Sequence, residues 1–196
     1  DFCLSRGLGD VYKRQAASNP SISPGRWPPN PKAKKMSLWF LLLCALTLVA
    51  YAAIGGVFLA FSDFIMRSFD LVRNKAGIET MQVLNVEIMR SIFMVLFMGL
   101  AILSIFIVVY AALNLDGTPR RLLMLAGLSY LVGVFAVTAA GNVPLNNRLA
   151  AMDPSTAQAL AFWKQSYMTR WVNLNSLRTL ACFLASGLTL AALVTR

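Results

Sequence analysis

Apolar residues occupy the chain in four long, nearly unbroken runs: Leu38 to Phe61, Ile92 to Leu113, Leu122 to Val143 and Val172 to Val194. Polar residues gather in the gaps between them. Each run is close to the ~20 residues that a helix needs to cross a hydrocarbon core about 30 Å thick. The runs are continuous and lack the alternation of a membrane β-strand. They predict an all-α integral membrane protein, a four-helix bundle in up-down-up-down order, with residues 36 to 196 forming a single four-span domain.

The gaps predict how the spans are joined. Apolar character in the first span ends at Ser62-Asp63, after the small-residue pair Gly55-Gly56, which permits close helix contact. A polar connector follows, with a break expected at Gly77 and an amphipathic lead-in to span two over Ile78 to Arg90. The turn-rich stretch Asn114-Leu115-Asp116-Gly117-Thr118-Pro119 makes spans two and three antiparallel neighbours. Pro144 has no N–H for the carbonyl of Ala140, so span three should kink or end there. Asp153-Pro154 reads as a helix start, with Asp as the cap and Pro at the first helical position. Pro154 to Val194 would be about 60 Å of helix at 1.5 Å per residue, twice the hydrocarbon thickness. An amphipathic helical extension before span four must therefore protrude, lie flat or break.

Composition agrees with the membrane reading: 58% of the 196 residues are hydrophobic and 13% charged, with mean hydropathy +0.64. The net charge of +10 would suggest nucleic acid in a soluble protein. Its placement argues against that partner, because residues 1 to 35 hold seven Lys/Arg against two Asp, half of the net charge. That segment begins without Met, is rich in proline and lacks apolar periodicity. It reads as a non-native or disordered stretch outside the functional unit. Without it, the side bearing Arg67, Arg73, Lys75, Arg90, Arg148, Lys164 and Arg170 outweighs the side bearing Arg120, Arg121 and Arg196; with it the balance reverses, so orientation stays open. Cys44 and Cys182 sit singly within spans and read as core residues. The chain has no histidine, which removes His-ligated haem, His-ligated zinc, the two-His-one-carboxylate iron site and a His base. No metal site is expected.

Alternating spans bring the end of span one, the start of span two, the end of span three and the start of span four to one membrane face. That face collects Asp63; Asn85, Glu87 and Arg90; Asn142, Asn146, Asn147 and Arg148; and Asn173, Asn175 and Arg178. Intramembrane polar groups are costly and mark functional sites. Trp163, Tyr167, Trp171, Asn175, Arg178 and Cys182 follow one another at helical spacing and share one stripe. Arg178 lies about 10 Å past Trp171, where an unpaired guanidinium costs up to about 2.5–3.5 kcal/mol, so it should pair with Asp63 or Glu87 or snorkel outward. Plainer roles exist for several of these residues. Trp163 and Trp171 suit an interfacial belt, Arg90 and Arg148 suit headgroup anchors, and Asp63 with Arg178 suits a structural pair.

Three segments taken together, Gly56-Val57-Phe58-Leu59-Ala60-Phe61-Ser62-Asp63-Phe64-Ile65-Met66, Gly141-Asn142-Val143-Pro144-Leu145-Asn146-Asn147 and Trp163…Trp171…Asn175…Arg178, resemble the anthrone-oxygenase-like membrane proteins over Met36 to Arg196. The resemblance implies a four-span bundle that converts anthrones to anthraquinones with molecular oxygen and no cofactor. Under it, Asp63 or Glu87 would take the methylene proton. Asn142, Asn146, Asn175 and Arg178 would stabilise the oxyanion. Trp163, Tyr167, Trp171, Glu87 and Arg90 would bind the substrate. Expected partners are membrane lipid, a hydrophobic aromatic small molecule and a second copy of the chain in a homo-oligomer, with no nucleic acid. The expected location is a bacterial cytoplasmic membrane. The alternative is a non-enzymatic membrane module that binds a lipid, a quinone or a partner protein through the Gly55-Gly56 face.

Overall fold

The computed structural model describes residues 36–72 and 75–195. Residues 1–35, together with Arg73 and Arg196 from the charge count, lie outside the described residues. Five helices account for the rest: α1 (Leu38–Leu71), α2 (Ala76–Glu87, prolonged by a 3₁₀ turn Ile88–Arg90), α3 (Ile92–Asn114), α4 (Gly117–Ala150) and α5 (Ala157–Val194). All but α2 are long and apolar enough to cross a membrane, as the hydrophobic pattern required. The protein is an integral membrane helical bundle.

The helices differ in length, and that difference builds the site. At 23 residues α3 is about 34 Å long, close to the hydrocarbon thickness. At 34, 34 and 38 residues, α1, α4 and α5 run about 51–57 Å and continue beyond it. Their overhanging ends bury Met66, Leu149, Phe162, Trp163 and Tyr167 together with Ile78 and Met81 of α2. The space above the short α3 is thus roofed by α2. Gln82 latches it there, its Nε2 donating to the carbonyls of Leu149 (2.8 Å) and Met152 (2.9 Å).

Three local expectations are revised, and one open alternative is decided. Gly77 is not a break: it lies within α2, where a Cβ would stand 2.0 Å from the Phe69 carbonyl oxygen, so it lets α2 press onto the end of α1. Pro144 does not end α4. A wide π-type turn over Thr138–Asn142 precedes it, Val143 N–H reaches back to the Thr138 carbonyl, and the helix resumes with proline in its first turn, where no N–H is needed. Asp153 does not cap α5, because its carboxylate accepts from Ser155 N–H (2.8 Å) and Ser155 Oγ (2.7 Å). Thr156 caps instead, accepting from Ala159 N–H at 3.2 Å. The extension before span four neither lies flat nor breaks: α5 runs through a π-type turn at Trp163–Tyr167 and protrudes.

Small residues set the helix spacing. A Cβ on Gly133 would stand 2.5 Å from that of Ala181, and one on Gly55 2.9 Å from that of Cys182, so α1 and α4 both press against α5. Gly55 is therefore spent within the chain, while Gly56 is exposed. Deeper in the bundle Tyr51 and Tyr130 are fully buried. The Tyr51 hydroxyl shares a 2.6 Å hydrogen bond with Ser104, and Tyr130 donates to the Phe97 carbonyl at 2.9 Å.

Candidate functional site

Beneath α2 the bundle holds a cavity of about 450 Å³, within the range of small-molecule sites. Each helix contributes: Phe58 and Phe61 from α1, Asn85 from α2, Phe93 and Phe97 from α3, Thr138, Asn142 and Asn146 from α4, and Trp171, Asn175 and Arg178 from α5. Phe93, Met94 and Phe97 occupy the first two turns of α3, so the floor of the cavity lies within about 9 Å of the end of that span.

Its polar groups form one connected arrangement. Asn175 is fully buried; its Nδ2 donates to the Phe58 carbonyl (2.5 Å) and to Ser62 Oγ (2.6 Å), which ties α5 to α1. Its Oδ1 accepts from Arg178 Nη2 at 2.6 Å. Arg178 Nη1 donates to Thr138 Oγ1 at 3.1 Å. The guanidinium lies over the ring of Phe58 at 4.3 Å and faces that of Trp171 at 5.4 Å. Trp171 is fixed in turn by Asn146, whose Oδ1 accepts from Trp171 Nε1 (2.9 Å) and the Tyr167 hydroxyl (2.8 Å). Asn142 is 1% exposed and donates from Nδ2 to the Trp171 carbonyl at 3.3 Å. Three buried polar atoms of this wall lack any partner among the described residues: Arg178 Nε, Asn142 Oδ1 and Asn85 Nδ2.

The expected ion pair of Arg178 with Asp63 or Glu87 is absent. Arg178 is 5% exposed, yet the ion pair found among the described residues is Lys75–Glu79 at 3.0 Å, one helical turn apart on the surface. The reason is helical phase. Arg178 follows Asn175 on the inward stripe of α5, whereas Asp63 is exposed in a separate open groove with Arg67, Asp70 and Asn173. Glu87 is exposed on α2. Snorkelling is replaced by neutral acceptors and aromatic faces, each cation–π contact contributing about 0.5–2 kcal/mol.

Of the residues singled out from sequence, the structure brings Asn85, Asn142, Asn146, Asn147, Asn175, Arg178 and Trp171 to the cavity wall. It leaves Asp63, Glu87 and Arg90 exposed and off that wall, so none is placed to take a proton from a molecule inside. Trp163 and Tyr167 belong to the packed overhang. Their rings stack at 5.2 Å, Trp163 Nε1 donates to Asp70 Oδ1 at 3.0 Å, and Tyr167 is tied to the cavity wall through Asn146. Asn173 faces the outer groove, and Arg148 is exposed with its guanidinium 4.4 Å from the Phe162 ring. Sequence reading missed Thr138, Phe58 and Ser62. Thr138 precedes Asn142 by four residues, as Phe58 precedes Ser62, and that spacing was the available signal.

Outside the spans, two charged groups depart from ordinary titration. The Lys75 ammonium is held up by its hydrogen bond to Glu79, and the Asp153 carboxyl is held down by the two Ser155 donors.

A family model described as Anthrone oxygenase matches residues 89–188, which carry α3, α4 and the cavity-lining part of α5. No curated protein and no solved structure matches the chain.

Proposed function

We propose that this chain, which belongs to the anthrone oxygenase family, oxidises an anthrone-like hydrophobic aromatic to the quinone with molecular oxygen inside the cavity under α2. The observation that carries the reading is Arg178, a buried cation that lines an otherwise largely apolar cavity, has no carboxylate partner and keeps one donor free. A fixed positive charge in a water-poor site stabilises negative charge that develops beside it far more than it would in water.

Anthrone chemistry develops such a charge. Loss of a methylene proton puts an enolate negative charge on the ring oxygen, where the Arg178 guanidinium stabilises it. The proton leaves to water by the polar side of the mouth near Gln82 and Asn147, since no carboxylate lines the cavity. The enolate carbon passes one electron to oxygen, recombination forms a C–O bond and a peroxide anion, and that anion takes a proton back from water to become the hydroperoxide. Loss of the remaining C–H proton and of hydroxide, together one water, leaves the new carbonyl. One oxygen atom ends in the quinone and the other in water. Phe61, Phe93 and Phe97 give the rings apolar surface, and Asn146 holds Trp171 against the guanidinium. Membrane lipid is the surrounding partner, and a bacterial cytoplasmic membrane is the setting we assign.

The test expresses the full chain in membranes and follows oxygen uptake and quinone absorbance with anthrone as substrate. Arg178→Met should abolish most turnover, while Asp63→Asn, off the cavity wall, should retain it. Equal rates in both variants and the unaltered protein would remove the mechanism.

A further inference from the structure

A buried guanidinium without a counter-charge is an incomplete arrangement. Arg178 is satisfied by neutral oxygens at Nη1 and Nη2 and by aromatic faces, while Nε has no acceptor among the described residues. An isolated cation in an apolar surround is costly, so whatever occupies the cavity gains by supplying an anionic oxygen.

The mouth says where that occupant comes from. Val57, Val86, Met89 and Val143 line the cavity and are 39%, 58%, 63% and 41% exposed. They form an apolar rim beside the first turns of α3, whose own outward residues Ile92 and Val95 are 80% and 72% exposed, the lipid-facing surface of a span. An acyl layer therefore covers the rim, and a ligand entering there is itself apolar along its body. About 450 Å³ suits one chain or ring system and not a two-chain phospholipid with its headgroup.

We infer that the cavity binds single-chain carboxylates from the bilayer, carboxylate first, with the head at Arg178 and the chain directed out between Val57 and Met89. Membrane free fatty acids would then compete with an anthrone for the same cation. The inference goes beyond oxygenation, and its test reads binding alone, so either idea can fail without the other.

Trp171 stands beside the guanidinium and serves as the reporter. The full chain, purified in detergent and delipidated, is titrated with 9,10-dibromostearate while tryptophan fluorescence is followed. Saturable quenching is expected, with most of its amplitude absent in Trp171→Phe. Oleate should reverse it; oleyl alcohol, which lacks the charge, and acetate, which lacks the chain, should not. Arg178→Met should weaken binding at least tenfold, with Arg178→Lys between it and the unaltered protein. Equal competition by oleyl alcohol and oleate on the unaltered protein would overturn the inference even if no Arg178 variant folds. Undiminished binding to a folded Arg178→Met would do the same. Competition by dioleoyl phosphatidic acid stronger than by oleate would overturn the choice of a single-chain ligand.

Discussion

Replacing Arg178 by Met separates charge from packing, because methionine keeps an unbranched apolar stem and adapts to irregular space. The structure gives the stability cost. Thr138 Oγ1 keeps its own bond to the Val134 carbonyl at 2.7 Å, so the group newly stranded is Asn175 Oδ1, at about 1–3 kcal/mol. Removing a desolvated charge offsets part of that. Breaking a buried ion pair typically costs about 3–5 kcal/mol because the partner charge is left uncompensated. Here no carboxylate is left behind, so the net change should stay within about 2 kcal/mol, a few degrees in melting temperature. Turnover should respond much more, since deleting one oxyanion donor costs about 10²–10³ in rate. Thermal melting of the purified variant, with oxygen uptake on the same preparation, reads both quantities. A folded variant within about threefold of the unaltered rate would refute the role of the guanidinium. A loss of about 3–5 kcal/mol would mean that Arg178 has a carboxylate partner after all.

Asn146→Leu leaves the Tyr167 hydroxyl and Trp171 Nε1 without their shared acceptor, so melting should show a loss of about 2–4 kcal/mol and Trp171 emission should shift, whereas an unchanged spectrum would detach Asn146 from that ring. Gly133→Val drives a side chain into Ala181 and should cost about 1–3 kcal/mol by thermal melting; a neutral result would mean that α4 and α5 are not in such close contact. The Asp153 carboxyl is held below its ordinary range by Ser155, so its contribution is present above the unfolded pKa and fades as pH falls through the lower folded one. Asp153→Asn removes the titrating carboxylate, so the melting temperature should fall slightly at neutral pH, where that contribution is present, and stay the same well below the folded pKa, where it is already lost.

Much of the fold was legible because lipid imposes a simple rule: a continuous apolar run of sufficient length becomes a helix that satisfies its own backbone. Hydrophobic runs alone determined four spans, their order and the face where amides and charges gather. The stripe from Trp163 to Cys182 was equally legible, since spacing in one helix fixes which side chains share a side, and all six are buried. Phase between helices was not legible. Asp63 and Arg178 approach the same end of the bundle, yet a π-type turn at Phe61–Ile65 and the roll of α1 against α5 decide that one faces out and the other in. Such rotations are set by tertiary contacts, among them Gly55 on Cys182 and Asn175 on the Phe58 carbonyl, that no local pattern encodes. Sequence therefore determined which polar groups reach one depth in the membrane. Only the packing of the helices decided that the buried cation would meet neutral amides and aromatic faces, with no carboxylate, in a cavity roofed by α2.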